Sequence, residues 1–286
     1  MGNSRNNNLN KVFSRNIFRC CFEKGFDSTY EKVIKEYITS ADNKSNYDLI
    51  CEIYNILKKQ YRNEYYYKNT LLNKLLLGVH SLNTTTALTE LPIADCKADF
   101  ILINGKAVVY EIKTELDNFD RLENQINNYY KAFDHVAVVT CKESLNDLKE
   151  KIESFNKPVG IYVLQRRGTI TTVQKPETYT ADLNSEVLFR ILRKREYESI
   201  LLEYYGYLPK VSQFKYYTEC KKLFLDIPIE KAYTFSLHKL KQRETVLKDE
   251  FQKIPYELKF LAYFMDLKAK DYVQINMFLN ESYGGV

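Results

Sequence analysis

Two apolar runs, Phe100-Ile-Leu-Ile103 and Ala107-Val-Val-Tyr110, stand on either side of Asn104-Gly105. Asn-Gly between short β-compatible runs is the strongest local signal for an antiparallel hairpin, so residues 98–103 and 107–113 are expected as its two strands. Charges at the far ends constrain the pair further. Asp99 opens the first strand, and the second closes on Glu111-Ile112-Lys113. Side chains two apart on a strand share a face, so Glu111 and Lys113 project together while Ile112 enters the core. A strict two-residue turn would pair 103 with 106 and put Asp99 on the face opposite Glu111. A three-residue loop or a bulge is therefore expected, because it restores the parity.

Charges at the end of an apolar strand carry a desolvation cost unless they are paired or solvated. Two carboxylates on one face also repel, and a divalent cation between them removes the repulsion. Oxygen ligands with an incomplete shell suit Mg²⁺, and Lys113 beside them would counter negative charge on a phosphate. The plain alternative is the exposed end of an edge strand. The next segment, 118–133, has helical spacing, with Phe119, Leu122, Ile126, Tyr129 and Phe133 on one buried face. Arg121, Gln125 and Tyr129 recur every four residues and form a stripe. Tyr129 fits core packing as well as a site role. Gln125 has no evident structural duty, and a polar stripe there would suit a phosphate or a water. Arg121 either pairs with Asp117 at i,i+4 or holds a phosphate.

The surrounding chain is helical to about Leu77, with a polar break at Asn43–Asn46 and a start at 1–10 expected to be disordered. A strand is expected over 86–92, followed by the hairpin, the helix, a strand over Val136–Thr140, a helix over Leu145–Phe155 and strands at 158–164 and 169–173. Helix, three strands, helix, strand, helix, strand implies an α/β layer arrangement with a mixed sheet. After Pro176 the pattern is helical again. The segments are 1–57, a helical N-terminal region; 58–178, the α/β core; and 179–286, a helical C-terminal region. In the last, Arg190, Arg193, Lys194 and Arg195 cluster on one helix, and Lys239, Lys241, Arg243 and Lys248 on another. These are either solvated faces or a basic clamp for nucleic acid. A protein-partner or homo-oligomer surface is equally open.

Composition excludes more than it selects. Apolar residues at 45% and charged residues at 28% suit a globular core, and a net charge of +5 permits nucleic-acid binding without requiring it. The six cysteines show neither C-x-x-C spacing nor a regular framework, which points away from a zinc ribbon, a cluster or a disulfide scaffold. No apolar run approaches the roughly 18 residues of a membrane span, and no signal-peptide core follows Met1, so a cytoplasmic protein is expected. Gly2 sits where N-myristoylation needs it, but Asn6 replaces the required Ser or Thr. His80, His135 and His238 are scattered and take surface or core roles. No Gly-rich phosphate loop is present.

Asp99, Glu111-x-Lys113 and then Gln125-x-x-x-Tyr129 on the following helix resemble the PD-(D/E)XK nuclease superfamily. The Gln-x-x-x-Tyr element looks like that of the RecB-like exonucleases. The whole run Ala98–Phe133 looks more like a poorly characterised group of bacterial and phage-encoded members. The resemblance covers residues 60–175. It implies a restriction-endonuclease-like core with a mixed sheet flanked by helices. It also implies Mg²⁺ or Mn²⁺ held by Asp99, Glu111 and the carbonyl of Ile112, with Lys113 catalytic. Many members add a glutamate from the first core helix. Glu64 is the slightly favoured candidate for that ligand and Glu90 its rival. Ala98 stands where the motif has proline, and the cluster-binding cysteines of some relatives are absent. The function implied is metal-dependent hydrolysis of phosphodiester bonds in nucleic acid, DNA before RNA. The alternative is a catalytically silent nucleic-acid-binding or protein-interaction module on the same fold.

Overall fold

The structure, a computed structural model, describes residues 8–79, 81–243 and 246–284. The chain divides into two compact units, Met1–Val79 with Thr245–Val286, and His80–Glu244. These do not follow the sequence segments: 58–79 fall with the N-terminal helices and 179–244 with the strands. Residues 1–7, including Gly2 and Asn6, and also His80, lie outside the described residues, while 8–10 are helical where disorder was expected.

The first unit opens with helices α1 (Arg15–Lys24), α2 (Ser28–Tyr37), α3 (Asn46–Gln60) and α4 (Glu64–Leu71). Their starts follow from side-chain caps. Asp27 accepts from the N–H groups of Thr29 and Tyr30, Ser45 from Asp48, and Asn63 from Tyr66. Each cap satisfies donors that the first turn leaves without partners. The Asn63 cap also splits the stretch that periodicity presents as nearly continuous, and Leu72–Leu76 continues from α4 as a π-helical turn.

The second unit contains strands β1 (Thr86–Leu88), β2 (Leu91–Ile93), β3 (Cys96–Ala98), β4 (Phe100–Asn104) and β5 (Lys106–Ile112). Helix α5 (Leu122–Tyr129) leads to β6 (His135–Thr140), α6 (Leu145–Glu153), β7 (Val159–Leu164) and β8 (Ile170–Gln174). Four helices follow: α7 (Ser185–Ile191), α8 (Lys194–Tyr205), α9 (Gln213–Leu225) and α10 (Ile229–Lys241). Six strands form one mixed sheet in the order β1-β4-β5-β6-β7-β8. The pairs β5·β6 and β6·β7 are parallel and the other three antiparallel. The single strand expected at 86–92 is broken. Glu90 and Ala94 have positive φ, and β2 and β3 turn aside as a separate two-stranded hairpin. Leu122, Ile126, Tyr129 and Phe133 are fully buried with Val109, Val136, Val138 and Ile161 from the sheet.

The chain then returns to the first unit as α11 (Lys248–Lys253), α12 (Lys259–Phe264) and α13 (Ala269–Asn280). Lys248 therefore does not continue the helix of Lys239 and Lys241. Polar contacts stitch this segment to the N-terminal helices. Asn46 Nδ2 donates to the Phe278 carbonyl at 3.0 Å, and Tyr65 to the Glu257 carbonyl at 2.5 Å. Asn69 donates to the Tyr256 carbonyl and accepts from the Phe260 N–H, both at 3.0 Å. Among the described residues no helix is long and apolar enough to cross a membrane.

Candidate active site

The β4–β5 turn decides whether the site exists. Ile103 pairs with Ala107 and Asn104 with Lys106, which leaves Gly105 alone at the tip, at φ +70°, in place of the expected three-residue loop or bulge, and gives a register of the same parity. Phe100 pairs with Tyr110, where the regular register ends, and Asp99 precedes it in a bend; continued one step, that register would set Asp99 against Glu111. This is the parity the hairpin needed. Regular pairing of β4 ends at Phe100, and the Asp99 carboxylate takes over at the edge of β5, with Oδ2 accepting the Ile112 N–H at 2.9 Å. A strand residue presents its N–H and C=O to the same edge, so the Ile112 carbonyl also faces the side where Asp99 lies.

Helix α5 supplies the rest. It begins at Leu122 rather than at residue 118, because short side chains capture the backbone first. Asp117 Oδ2 accepts from the Thr114 N–H at 2.9 Å and its hydroxyl at 2.7 Å, and Asn118 Oδ1 accepts from the Asp120 N–H. Asp117 is thus committed to Thr114, and the expected Asp117–Arg121 pairing is replaced by this turn. Helix α5 ends at Tyr129, and a turn continues to Phe133, whose N–H reaches the Tyr129 carbonyl. The apolar face survives although the helix is shorter than expected.

Glu111 is only 2% exposed, and its carboxylate is held from three sides. Lys113 Nζ lies 3.0 Å from Oε1, the Gln125 amide nitrogen donates to the same oxygen, and the Tyr129 hydroxyl donates to Oε2 at 2.6 Å. Lys113 also donates to Gln125 Oε1 at 2.9 Å, so the amide bridges the ion pair. Tyr129 bonds in addition to the Lys97 carbonyl at 2.8 Å, anchoring α5 to β3. Its ring is core and its hydroxyl is site, which reconciles the two readings of that residue. Burial pushes the Glu111 carboxyl up, against the Lys113 ammonium and the hydrogen bonds from Tyr129, Lys113 and Gln125. Burial, then the Glu111 charge, pushes the Tyr129 phenol far up, so it stays a donor.

Asp99, Glu111 and the Ile112 carbonyl are hard oxygen donors, the chemical type that suits Mg²⁺ or Mn²⁺, and the carboxylates of Asp99 and Glu90 lie within 4.8 Å of one another. A carboxylate offers about four acceptor positions, and Glu111 uses three on protein donors. Glu90 lies in the same unit, exposed, one residue after Thr89, whose hydroxyl donates to the Asp99 carbonyl at 2.7 Å. Glu64 belongs to the other unit, where it begins α4 and pairs with Lys68. Arg121 is exposed ahead of α5, its carbonyl accepting the Gln125 N–H. Sequence reasoning missed the thiol of Cys96, which accepts from Asn128 on α5 at 3.3 Å; the i,i+3 neighbourhood of Gln125 and Asn128 was the available signal.

The basic cluster is partly matched by acids. Arg190 pairs with Glu186, Lys194 with Glu198 at 3.8 Å, Lys239 with Glu203 at 3.0 Å, and Arg243 with Glu196 through two nitrogens. At least four of the eight residues are thus paired, Arg190 and Lys194 within their own helices and Lys239 and Arg243 with α8. His135 is buried against Asp134, and His238 lies 3.3 Å from Gln242.

Among characterised proteins, the chain is similar to Protein cII of Enterobacteria phage P4, at 25% identity over 128 residues. That alignment covers 43% of this chain and 47% of the relative, so the chain matches about half the relative's length. No solved structure matches. The model of the family described as Bacteriophage P4 protein cII matches residues 57–258, most of the chain and all of its strands, and the chain belongs to that family.

Proposed function

We propose that the second unit is a restriction-endonuclease-like core of the PD-(D/E)XK kind. In this reading the protein is a metal-dependent nuclease that hydrolyses phosphodiester bonds in nucleic acid, DNA before RNA. The observation that carries the reading is the Asp99 carboxylate on the Ile112 N–H, next in the chain to Glu111, with Lys113 bonded to both Glu111 and Gln125. The support is this geometry rather than the family name.

Asp99, Glu111 and the Ile112 carbonyl would hold Mg²⁺ or Mn²⁺. The bound ion would supply positive charge to polarise the phosphodiester and acidify water. Lys113 stands beside Glu111, where it would counter charge developing on the phosphorane oxygens. Gln125 fixes the Lys113 and Glu111 heads together, and Tyr129 fixes the second Glu111 oxygen to α5. Glu90, in the same unit, would complete the set, and Glu90→Gln tests this by loss of metal affinity.

The test is incubation of the purified chain with linear, circular and single-stranded DNA and with RNA, in Mg²⁺, Mn²⁺ or chelator. Cleavage that needs metal and falls by about 10³-fold in Lys113→Ala and Asp99→Ala is expected. One observation favours a second reading, a catalytically silent binding or interaction module. Both Glu111 oxygens already have protein donors, so the network can stand closed without an ion. Folded protein that cleaves none of these substrates selects it.

A further inference from the structure

The sheet face that carries Glu111 and Lys113 continues across β6 and β7. Glu111 is in register with Val138 and Val138 with Ile161, while the Lys113 N–H donates to the Val139 carbonyl at 2.9 Å. The row one step further therefore sets Thr140 beside Lys113 and Val163 beside Thr140, on the same face by strand parity. Val136, Val138, Val159, Ile161 and Val163 are the apolar companions on that face, and Thr140 is its polar exception on these two strands. Thr140 is fully buried. Its hydroxyl is the buried side-chain polar atom of the second unit, among the described residues, that has no hydrogen-bond partner. A buried hydroxyl in that condition is destabilising, so an apolar side chain would be the stable choice at this position unless the hydroxyl is used.

We propose that Thr140 is a positioning residue for Lys113, its hydroxyl accepting a hydrogen bond from the ammonium when a divalent cation occupies Asp99 and Glu111. The inference rests on the nuclease reading above. Lys113 now spends one donor on Glu111 Oε1 and one on Gln125 Oε1. A cation on the Glu111 carboxylate repels the ammonium, and its bond to Oε1 is the one that weakens. An ammonium has three donors and must keep acceptors in a buried place. Gln125 remains, and the Thr140 oxygen on the adjacent strand is the next one in the row. Thr140 would thus keep Lys113 at the site rather than let it turn to solvent.

Thr140→Val and Thr140→Ser, with wild type and Asp99→Ala, test this through thermal unfolding in chelator and across a Mg²⁺ titration. In chelator the valine variant is expected to be as stable as wild type or more so, since it removes the orphan hydroxyl. Its apparent Mg²⁺ affinity from the Tm shift is expected to fall about tenfold, with serine restoring it. Valine with unchanged Mg²⁺ affinity, or serine that behaves like valine, overturns the assignment of Thr140 alone. Wild type that shows no Mg²⁺ shift beyond that of Asp99→Ala overturns the metal-site reading and this inference with it.

Discussion

Two buried polar networks occupy opposite ends of the same parallel strands, and their difference is instructive. At the start of β6, Asp134 Oδ1 accepts from the Tyr233 hydroxyl at 2.5 Å and lies 2.8 Å from His135 Nδ1. The Asp134 N–H returns to the Tyr233 oxygen at 3.2 Å, and His135 Nε2 meets the Thr178 hydroxyl at 3.3 Å. At the end of β5, Glu111 is likewise held by a tyrosine from a packed helix. The first network has one carboxylate and ties α10 to the sheet, which is a complete structural duty. The second places the Asp99 carboxylate on the backbone at the end of β5, beside Glu111, and adds Lys113 two residues along that same strand. A tyrosine on a buried carboxylate therefore does not mark a site; a second carboxylate beside it does.

The largest expected effect separates the two networks by activity. Asp99→Ala or Lys113→Ala should reduce metal-dependent cleavage by about 10³-fold, whereas Tyr233→Phe should leave it within a factor of a few. Comparable losses in all three would erase the distinction. Next is stability. Tyr233→Phe removes a bond to a charged oxygen and should cost about 2 kcal/mol, seen as a lower denaturation midpoint at unchanged m-value.

A pH-dependent difference comes third. Burial holds the Glu111 carboxyl above its unfolded value, so the folded state favours the protonated form. That contribution is full below the unfolded value and is lost as pH rises through the folded one. Glu111→Gln, neutral throughout, should gain stability relative to wild type as pH rises across that window in chelator. A constant difference between the two proteins would mean that the Lys113 ammonium and the hydrogen bonds offset burial, and a loss relative to wild type that they outweigh it. The smallest effect concerns the turn that aligns the carboxylates. Gly105→Ala meets nothing within 4 Å but must hold φ +70°, so it should cost about 1 kcal/mol and leave cleavage intact. Lost cleavage in a stable Gly105→Ala would indicate a slipped register.

What was legible in the chain was legible because a local rule enforced it. Asn104-Gly105 with flanking apolar runs specifies a hairpin, and the parity of its register was legible although its tip is Gly105 alone. Other features depended on competition that periodicity does not register. Asp117 and Asn118 capture nearby N–H groups and delay α5 by a turn. Glu90 and Ala94 at positive φ divert β2 and β3 from the strand expected over 86–92. The partition into units was hidden for a different reason, since it depends on pairings such as Asn46 with Phe278 that no window of sequence contains. The pairing of the basic helices was only half visible: Glu186 before Arg190 is an i,i+4 pair, whereas Glu196 with Arg243 spans 47 residues.

The first unit is assembled from both ends of the chain, and this sets an order of events during synthesis. Asn46 and the Phe278 carbonyl it binds are 232 residues apart. At about 5–20 residues per second, the N-terminal helices wait roughly 12–46 s for that partner. The sheet carrying Asp99, Glu111 and Lys113 is meanwhile completed from contiguous residues. A ribosome that stops within α12 would therefore release a chain with its candidate site built and its first unit still open.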